Sequence, residues 1–500
     1  MLNARILDLP LVPLCLCVET PDSEPPSGAF VLNLLRGIAF FLLCGFLQAA
    51  PVPATETKLG TADSTCVAIA LFDVAPNGKD FAYCGRWRAG APDTGSAVWS
   101  NGKVVARADT IVLLQYTETG KLLLGGRRSG KDFVSLAGTE SPGWQCINWR
   151  SVVLNPGGSE LAFAGAKQGK WTVVRSSKGR FSEGNRYDGV GMPSFTTDGL
   201  TLLFPAWEDF DKENWTAKWF VVKIKTTTED TEKTQRTQSK PMTPGNKTAE
   251  DAGTARKETP APDSASWNRS KQYDCDFVGW VKEGAQVRKS ASAHEPVLAY
   301  VVGQDGKTWV VDNERAGPKY DDVGWLTYAP GTNRLYYAAK LRGKWFIVKE
   351  GYPLRAQYDD ISFLSFSPDA RRMAFTATQG KQQFCVIDGS RSKGWDEVVL
   401  PLFSPDSRRY GYFARKGASW SVVVQERARK AYDNVSWLVW GAGGYAYRAG
   451  TGGKYRVVLN GREGADFDAV CRLWFDSSGR TLFYGARRGR DVVVVRTDGE

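Results

Sequence analysis

The chain contains a single histidine, His294, within Ser-Ala-His-Glu-Pro. A Ser-His-Asp triad or a multi-histidine zinc site would have to be built on that residue. Its place beside a proline reads instead as a solvent-facing turn. The acids that recur are the aspartates of Tyr187-Asp188, Tyr273-Asp274, Tyr320-Asp321, Tyr358-Asp359, Trp395-Asp396, Tyr432-Asp433 and Phe467-Asp468. Carboxylates repeated in this way could serve acid–base chemistry or hold a metal. An Asp that follows a buried aromatic more simply accepts backbone hydrogen bonds at a turn. Cys66, Cys84, Cys146, Cys275, Cys385 and Cys471 are scattered, with no C-x-x-C pair, so they read as buried free thiols and not as a zinc or redox motif. No Gly-x-Ser-x-Gly elbow and no Gly-rich phosphate loop is present. The sequence therefore assigns no catalytic, metal or cofactor-binding residue, and no cofactor is expected.

The cations are the other candidates. The formal charge is +11 and the pI about 9.1, which favours anionic partners. Basic residues concentrate at one class of tight turn. The candidate contacts to an anionic ligand are Arg127, Arg128, Lys340, Arg342, Arg415, Lys416, Arg487, Arg488 and Arg490. A second basic set, Arg371, Arg372, Arg408, Arg409 and Arg480, falls at the alternate class of turn.

A repeated element must place these residues. YDDISFLSFSPDARRMAF at 358–375 returns as WDEVVLPLFSPDSRRYGY at 395–412. From Tyr320 onward the aromatic-Asp pairs fall at intervals of 38, 37, 37 and 35 residues. After each comes an apolar run, a turn rich in Pro, Asp, Asn or Gly, a second apolar run, a second turn and a β-branched run such as Val422–Val424. These are hairpin signals around short strands buried on both faces. One such unit cannot cover its own sheet faces, so neighbours must stack. The expected fold is an all-β, antiparallel β-propeller of about ten repeats, as one large ring or two smaller propellers. Its turns lie near Gly78, Gly120, Gly158, Gly199, His294, Pro330, Pro368, Pro405, Gly443 and Gly479.

The FSPDARRMAF and FSPDSRRYGY phrases resemble the TolB-like, WD-type β-propeller repeats of bacterial envelope proteins. Ala370 and Ser407 stand where that pattern has glycine. The resemblance covers about 62–500 outside one insertion. It implies a propeller that binds protein or ligand on a face, and it supplies no catalytic residue.

Residues 31–54 carry Arg36, a short apolar stretch and small residues up to Val52-Pro53-Ala54, the pattern of a secretory signal. The expected organisation is an extension and signal peptide over 1–54 and repeats over 58–500. A Thr-rich insertion at 226–266, without Val, Ile, Leu, Phe, Trp or Tyr, falls inside one blade and reads as disordered. Because the last repeat lacks an outer strand, residues 58–66 are expected to complete it. Cys66 and Cys471 would then lie in neighbouring blades without a disulfide. The functional expectation is a non-enzymatic secreted or periplasmic scaffold that binds an envelope protein or anionic polysaccharide through its loop faces. Sequence-specific nucleic-acid binding is not expected, and membrane contact is limited to an uncleaved leader. The alternative is a propeller hydrolase or lyase acting on polysaccharide or a small ester through carboxylates or a metal.

Overall fold

The computed structural model describes residues 54–87, 95–177, 179–196, 199–211, 216–225 and 267–498, apart from 270–272, 276, 280–287, 290–295, 298 and 314. His294, the signal pattern up to residue 53 and the insertion at 226–266 lie outside the described residues. The strands flanking that insertion, Thr216–Lys225 and Trp267–Arg269, pair with each other.

Among the described residues, ten antiparallel sheets of four to six strands, of the β-propeller type, follow one another along the chain, with one further two-stranded pair, Arg288–Lys289 and Pro296–Val297. We number the blades 1 to 10 in chain order and letter their strands a to d from the inner edge. The blades fall into two compact units, which are described separately. One unit, residues 144–357, holds blades 3 to 6. The other holds blades 1, 2 and 7 to 10, from residues 1–143 and 358–500. Blade 8 shows the pattern: Glu397–Phe403, Tyr410–Lys416, Ser419–Val424 and Arg427–Tyr432.

Strands form because β-branched and aromatic residues alternate onto two faces, each covered by a neighbouring blade. Val422, Val423 and Val424 are all buried although they point alternately to opposite faces. Between blades 8 and 9, Phe413 and Val422 meet Tyr445, Tyr447 and Val458. The aromatics of six of the seven aromatic-Asp pairs are core: Tyr187, Tyr320, Tyr358, Trp395, Tyr432 and Phe467 are buried.

The a–b turns explain the repeated Pro-Asp phrase. In blade 7 the Ser367 hydroxyl donates to Asp369 Oδ1 at 2.6 Å, and that oxygen accepts the Arg371 N–H at 3.1 Å. In blade 8, Ser404 and Asp406 repeat the arrangement. The next residue is left-handed: Gly78, Gly158 and Gly479 have φ of 66°, 60° and 68°. Ala370 and Ser407 hold the same conformation at 57° and 63°, against the preference of a side chain.

Blade 10 is completed from the other end of the chain. Its strands Ala469–Phe475, Thr481–Arg488 and Asp491–Asp498 are joined by Ala54–Thr61, antiparallel to Asp491–Asp498. The closing strand is thus the expected one, but it spans 54–61 and not 58–66. The register shifts at a bulge between Lys58 and Gly60, and the pairing ends at Thr61, opposite Asp491, the first residue of its partner strand. Residues 62–65 then cross over, and Cys66 already opens strand a of blade 1. Cys66 and Cys471 are both buried free thiols, as are Cys84 and Cys385, and Cys146 is half-buried. The Cys275 side chain is not among the described groups.

Candidate functional site

The recurring aspartates are built into the backbone. Asp321, Asp359, Asp396, Asp433 and Asp468 accept main-chain N–H groups from the b–c turn of their own blade. The donors are Arg342, Gly380, Gly417, Gly452 and Gly489, at 2.5 to 2.9 Å. Lysines of the preceding blade also reach some of them: Lys307 meets Asp321 at 2.6 Å, Lys454 meets Asp468 at 2.5 Å, and Lys170 meets Asp188. The Lys307 ammonium and the Arg342 N–H hold the Asp321 carboxyl below the ordinary range, and Lys454 and the Gly489 N–H do the same at Asp468. At Asp396 the Gly417 N–H leads and Lys416 follows. These carboxylates staple turns and join blades. Among the described residues, no group of three or more His, Cys, Asp or Glu converges to hold a metal.

The nine candidate cations all sit at or beside b–c turns. Lys340 and Arg342 belong to the unit of blades 3 to 6, the other seven to the second unit. Most already have partners in the chain. Arg127 pairs with Asp132 at 3.3 Å, Arg128 with Glu140 at 2.7 Å, Arg415 with Glu397 at 2.9 Å and Lys416 with Asp396 at 3.0 Å. Arg488 grips both oxygens of Glu56 on the closing strand, at 3.0 and 3.1 Å. Arg490 donates to the carbonyls of Cys66 at 3.0 Å, Ala62 at 3.1 Å and Asp63. Arg487 bonds the Gly489 carbonyl at 2.9 Å, and Lys340 lies 5.9 Å from the Trp345 ring centre. Arg488 and Arg490 therefore fasten the strand that closes blade 10.

The opposite rim is tied together turn to turn. The Asp369 N–H of blade 7 donates to Ser407 Oγ of blade 8 at 3.1 Å, and Arg372 reaches the Arg408 carbonyl at 3.3 Å. Arg409 of blade 8 reaches the Gly441 carbonyl of blade 9 at 3.0 Å. The Gly443 N–H of blade 9 donates to the Gly479 carbonyl of blade 10 at 2.8 Å. In each Asp-x-Arg-Arg phrase the second arginine is thus spent on the next blade, under an aromatic ring. Arg372 lies 5.4 Å from the Phe403 centre, and Arg409 lies 5.4 Å from that of Trp440. The first arginine faces solvent: the Arg371 side chain is 85% exposed, and Arg408 and Arg480 are exposed.

A further row escaped the sequence reading. Each of several a strands breaks register at a bulge four residues after its aspartate. The bulged residue is left-handed: Trp325, Phe363, Leu400, Trp437 and Arg472, with φ of 54°, 54°, 53°, 55° and 23°. Such backbone costs on the order of 1 kcal/mol per residue, and it re-aims the side chain. Leu400 packs onto the core between blades 8 and 9, and Trp437 onto both cores that flank blade 10. Arg472 extends across blade 1. It donates to the Tyr116 carbonyl of blade 2 at 2.7 Å, pairs with Glu118, and lies 4.0 Å from Asp73. Asp73 is 5% exposed and accepts the Tyr116 N–H at 2.7 Å. Burial pushes its carboxyl up to about 6 against that hydrogen bond and the arginine. The constant offset from the aspartates was the available signal.

No family model matches the chain, and no curated protein matches it. Among solved structures it is similar to a crystal structure titled as the eukaryotic initiation factor. Identity there is 13%, over 75% of this chain and 89% of that one, at a TM-score of 0.40. It is also similar to the Dos1 propeller, with 8% identity over 89% and 95% of the two chains and a TM-score of 0.34. A third is dihydro-heme d1 dehydrogenase NirN, with 13% identity over 70% and 73% and a TM-score of 0.34. At these scores the likenesses carry no argument about function.

Proposed function

We propose that the protein is a non-enzymatic β-propeller scaffold, secreted or periplasmic, that binds a protein partner through a loop rim. The observation that supports this reading is the a–b rim of blades 7 to 10. Its turns are hydrogen-bonded to one another, and Arg371, Arg408 and Arg480 project from it. A rim fixed in this way has already lost the freedom that binding would otherwise cost. Exposed arginines suit an acidic protein surface, where they form forked contacts to carboxylates. An anionic polysaccharide on the b–c rim is the lesser reading, because it would compete with Asp132, Glu140, Glu397, Asp396 and Glu56 for the same cations. The Ser-Pro-Asp phrases, resembling TolB-like repeats, and the leader pattern support an envelope setting.

The test is affinity capture on the immobilised full chain from an envelope extract, with retained protein and polymer both quantified. A triple variant, Arg371→Glu, Arg408→Glu and Arg480→Glu, is run beside it. One defined protein, lost in the variant, is expected. Retention indifferent to these reversals, or turnover of a polysaccharide or ester by the purified chain, would overturn the reading.

A further inference from the structure

Two neighbouring inter-blade slots can be compared residue by residue. Between blades 7 and 8, Tyr410 and Tyr412 donate their hydroxyls to Glu426 Oε1 and Oε2, at 3.3 and 3.2 Å. Glu426 is the second residue of the c–d hairpin turn of blade 8. It is left-handed, with φ of 63°. The same position is glycine in other blades, as Gly102, Gly138, Gly351, Gly389 and Gly461, as this turn type prefers. The strained glutamate is thus retained where its carboxylate meets two tyrosines.

Between blades 8 and 9 the same positions read differently. Tyr445 occupies the place of Tyr410: the Asn460 N–H donates to its carbonyl at 3.0 Å, as Gln425 does to that of Tyr410 at 3.1 Å. Gly461 stands in place of Glu426. A side chain there would begin 3.9 Å from the Tyr445 hydroxyl. Tyr445 is only 6% exposed, yet its hydroxyl has no hydrogen-bond partner. Arg429 lies 5.5 Å from the Tyr445 ring centre, with a buried Nε that also has none. In the other slot the place of Arg429 belongs to Ser392, whose N–H bonds the Cys385 carbonyl. Trp440, its ring 5.7 Å from that of Tyr445, contributes another buried, unpartnered N–H. The nearby Glu463 is taken by the Tyr432 hydroxyl at 2.7 Å, Lys430 at 2.7 Å and Arg456 at 3.0 Å. Among the described residues Arg429 has no ion pair. Relative to its neighbour, then, this slot has exchanged a carboxylate for a glycine and a serine for a guanidinium. Its three unpaired groups can all donate, and buried donors require an acceptor.

We infer that the slot between blades 8 and 9 binds a small free carboxylate beside Gly461, which accepts from the Tyr445 hydroxyl and the Arg429 guanidinium as Glu426 accepts from Tyr410 and Tyr412. The inference does not depend on the proposed scaffold function. It is tested by thermal unfolding of the full chain in sodium acetate against sodium chloride at equal ionic strength. A ligand that binds only the folded form raises the midpoint with concentration. Acetate should raise it by about 1–2 °C over chloride. The difference should vanish in Arg429→Gln and in Tyr445→Phe, two substitutions that preserve side-chain bulk. An equal response to both anions in the wild type would overturn the inference, and so would an acetate effect undiminished in both variants.

Discussion

Ala370 and Ser407 occupy equivalent left-handed positions, which makes their replacement by glycine a controlled pair. In both, glycine relieves a conformational cost of about 1 kcal/mol. In both it also loosens the unfolded chain by about 0.4–1 kcal/mol. These terms nearly cancel, so Ala370→Gly should change stability by less than about 0.5 kcal/mol. Ser407 carries one thing more, since its hydroxyl accepts the Asp369 N–H of the preceding blade at 3.1 Å. Removing it leaves that amide without its acceptor, at about 1 kcal/mol. Ser407→Gly should therefore be less stable than Ala370→Gly by about 1 kcal/mol. At about 2.1 cal/mol/K per residue, unfolding 500 residues together carries about 1 kcal/mol/K, so the gap is about 1 °C. Calorimetry on both variants resolves that gap. Equal midpoints, or a greater loss in Ala370→Gly, would refute the idea that the turns are coupled blade to blade through Ser407.

Two further outcomes follow from the geometry. Arg490→Ala removes bonds to two carbonyls in the crossover that follows the closing strand and to a third, that of Cys66, where blade 1 begins, and should cost about 2 kcal/mol. Hydrogen exchange should show residues 54–66 losing protection first, whereas loss spread evenly over blade 10 would argue against a fastening role. The carboxyls of Asp321, Asp396 and Asp468 are held low by lysine and backbone donors. For a depressed carboxyl the stabilisation is complete above the unfolded value, near 4, and is lost as pH falls through the folded one. The urea midpoint at constant ionic strength should therefore drop steadily below pH 4, and a midpoint that rises there would contradict the staple role.

The parts of the fold legible in the sequence are those written locally. Aromatic-Asp and Ser-Pro-Asp mark turns because the carboxylates bond amides two residues on, or within the same blade. The closing strand was legible as a missing edge, but its limits are those of its partner Asp491–Asp498, and the register along it, with a bulge between Lys58 and Gly60, is not announced by composition. Partners far along the chain were not legible. Arg488 reads as one more surface cation until Glu56, 432 residues away, is folded against it. The bulge row was hidden for a different reason. Trp, Phe, Leu and Arg share a register position but little chemistry, and none is a residue that favours positive φ. The basic clusters were visible as charge, while the carboxylates and carbonyls that occupy them were not.

The forward lean of these contacts bears on how such a chain could have been copied. Lys454 reaches from blade 9 to Asp468 of blade 10, Arg409 from blade 8 to the carbonyl of Gly441, and Ser407 takes its donor from blade 7. A gene segment cut at the sheet boundaries would carry the lysine and arginine without the groups they hold. Each inserted copy would meet its neighbours through contacts evolved for a different blade. In blades 7 to 10 the contacts that join one sheet to the next are therefore as much a part of the repeat as the strands themselves.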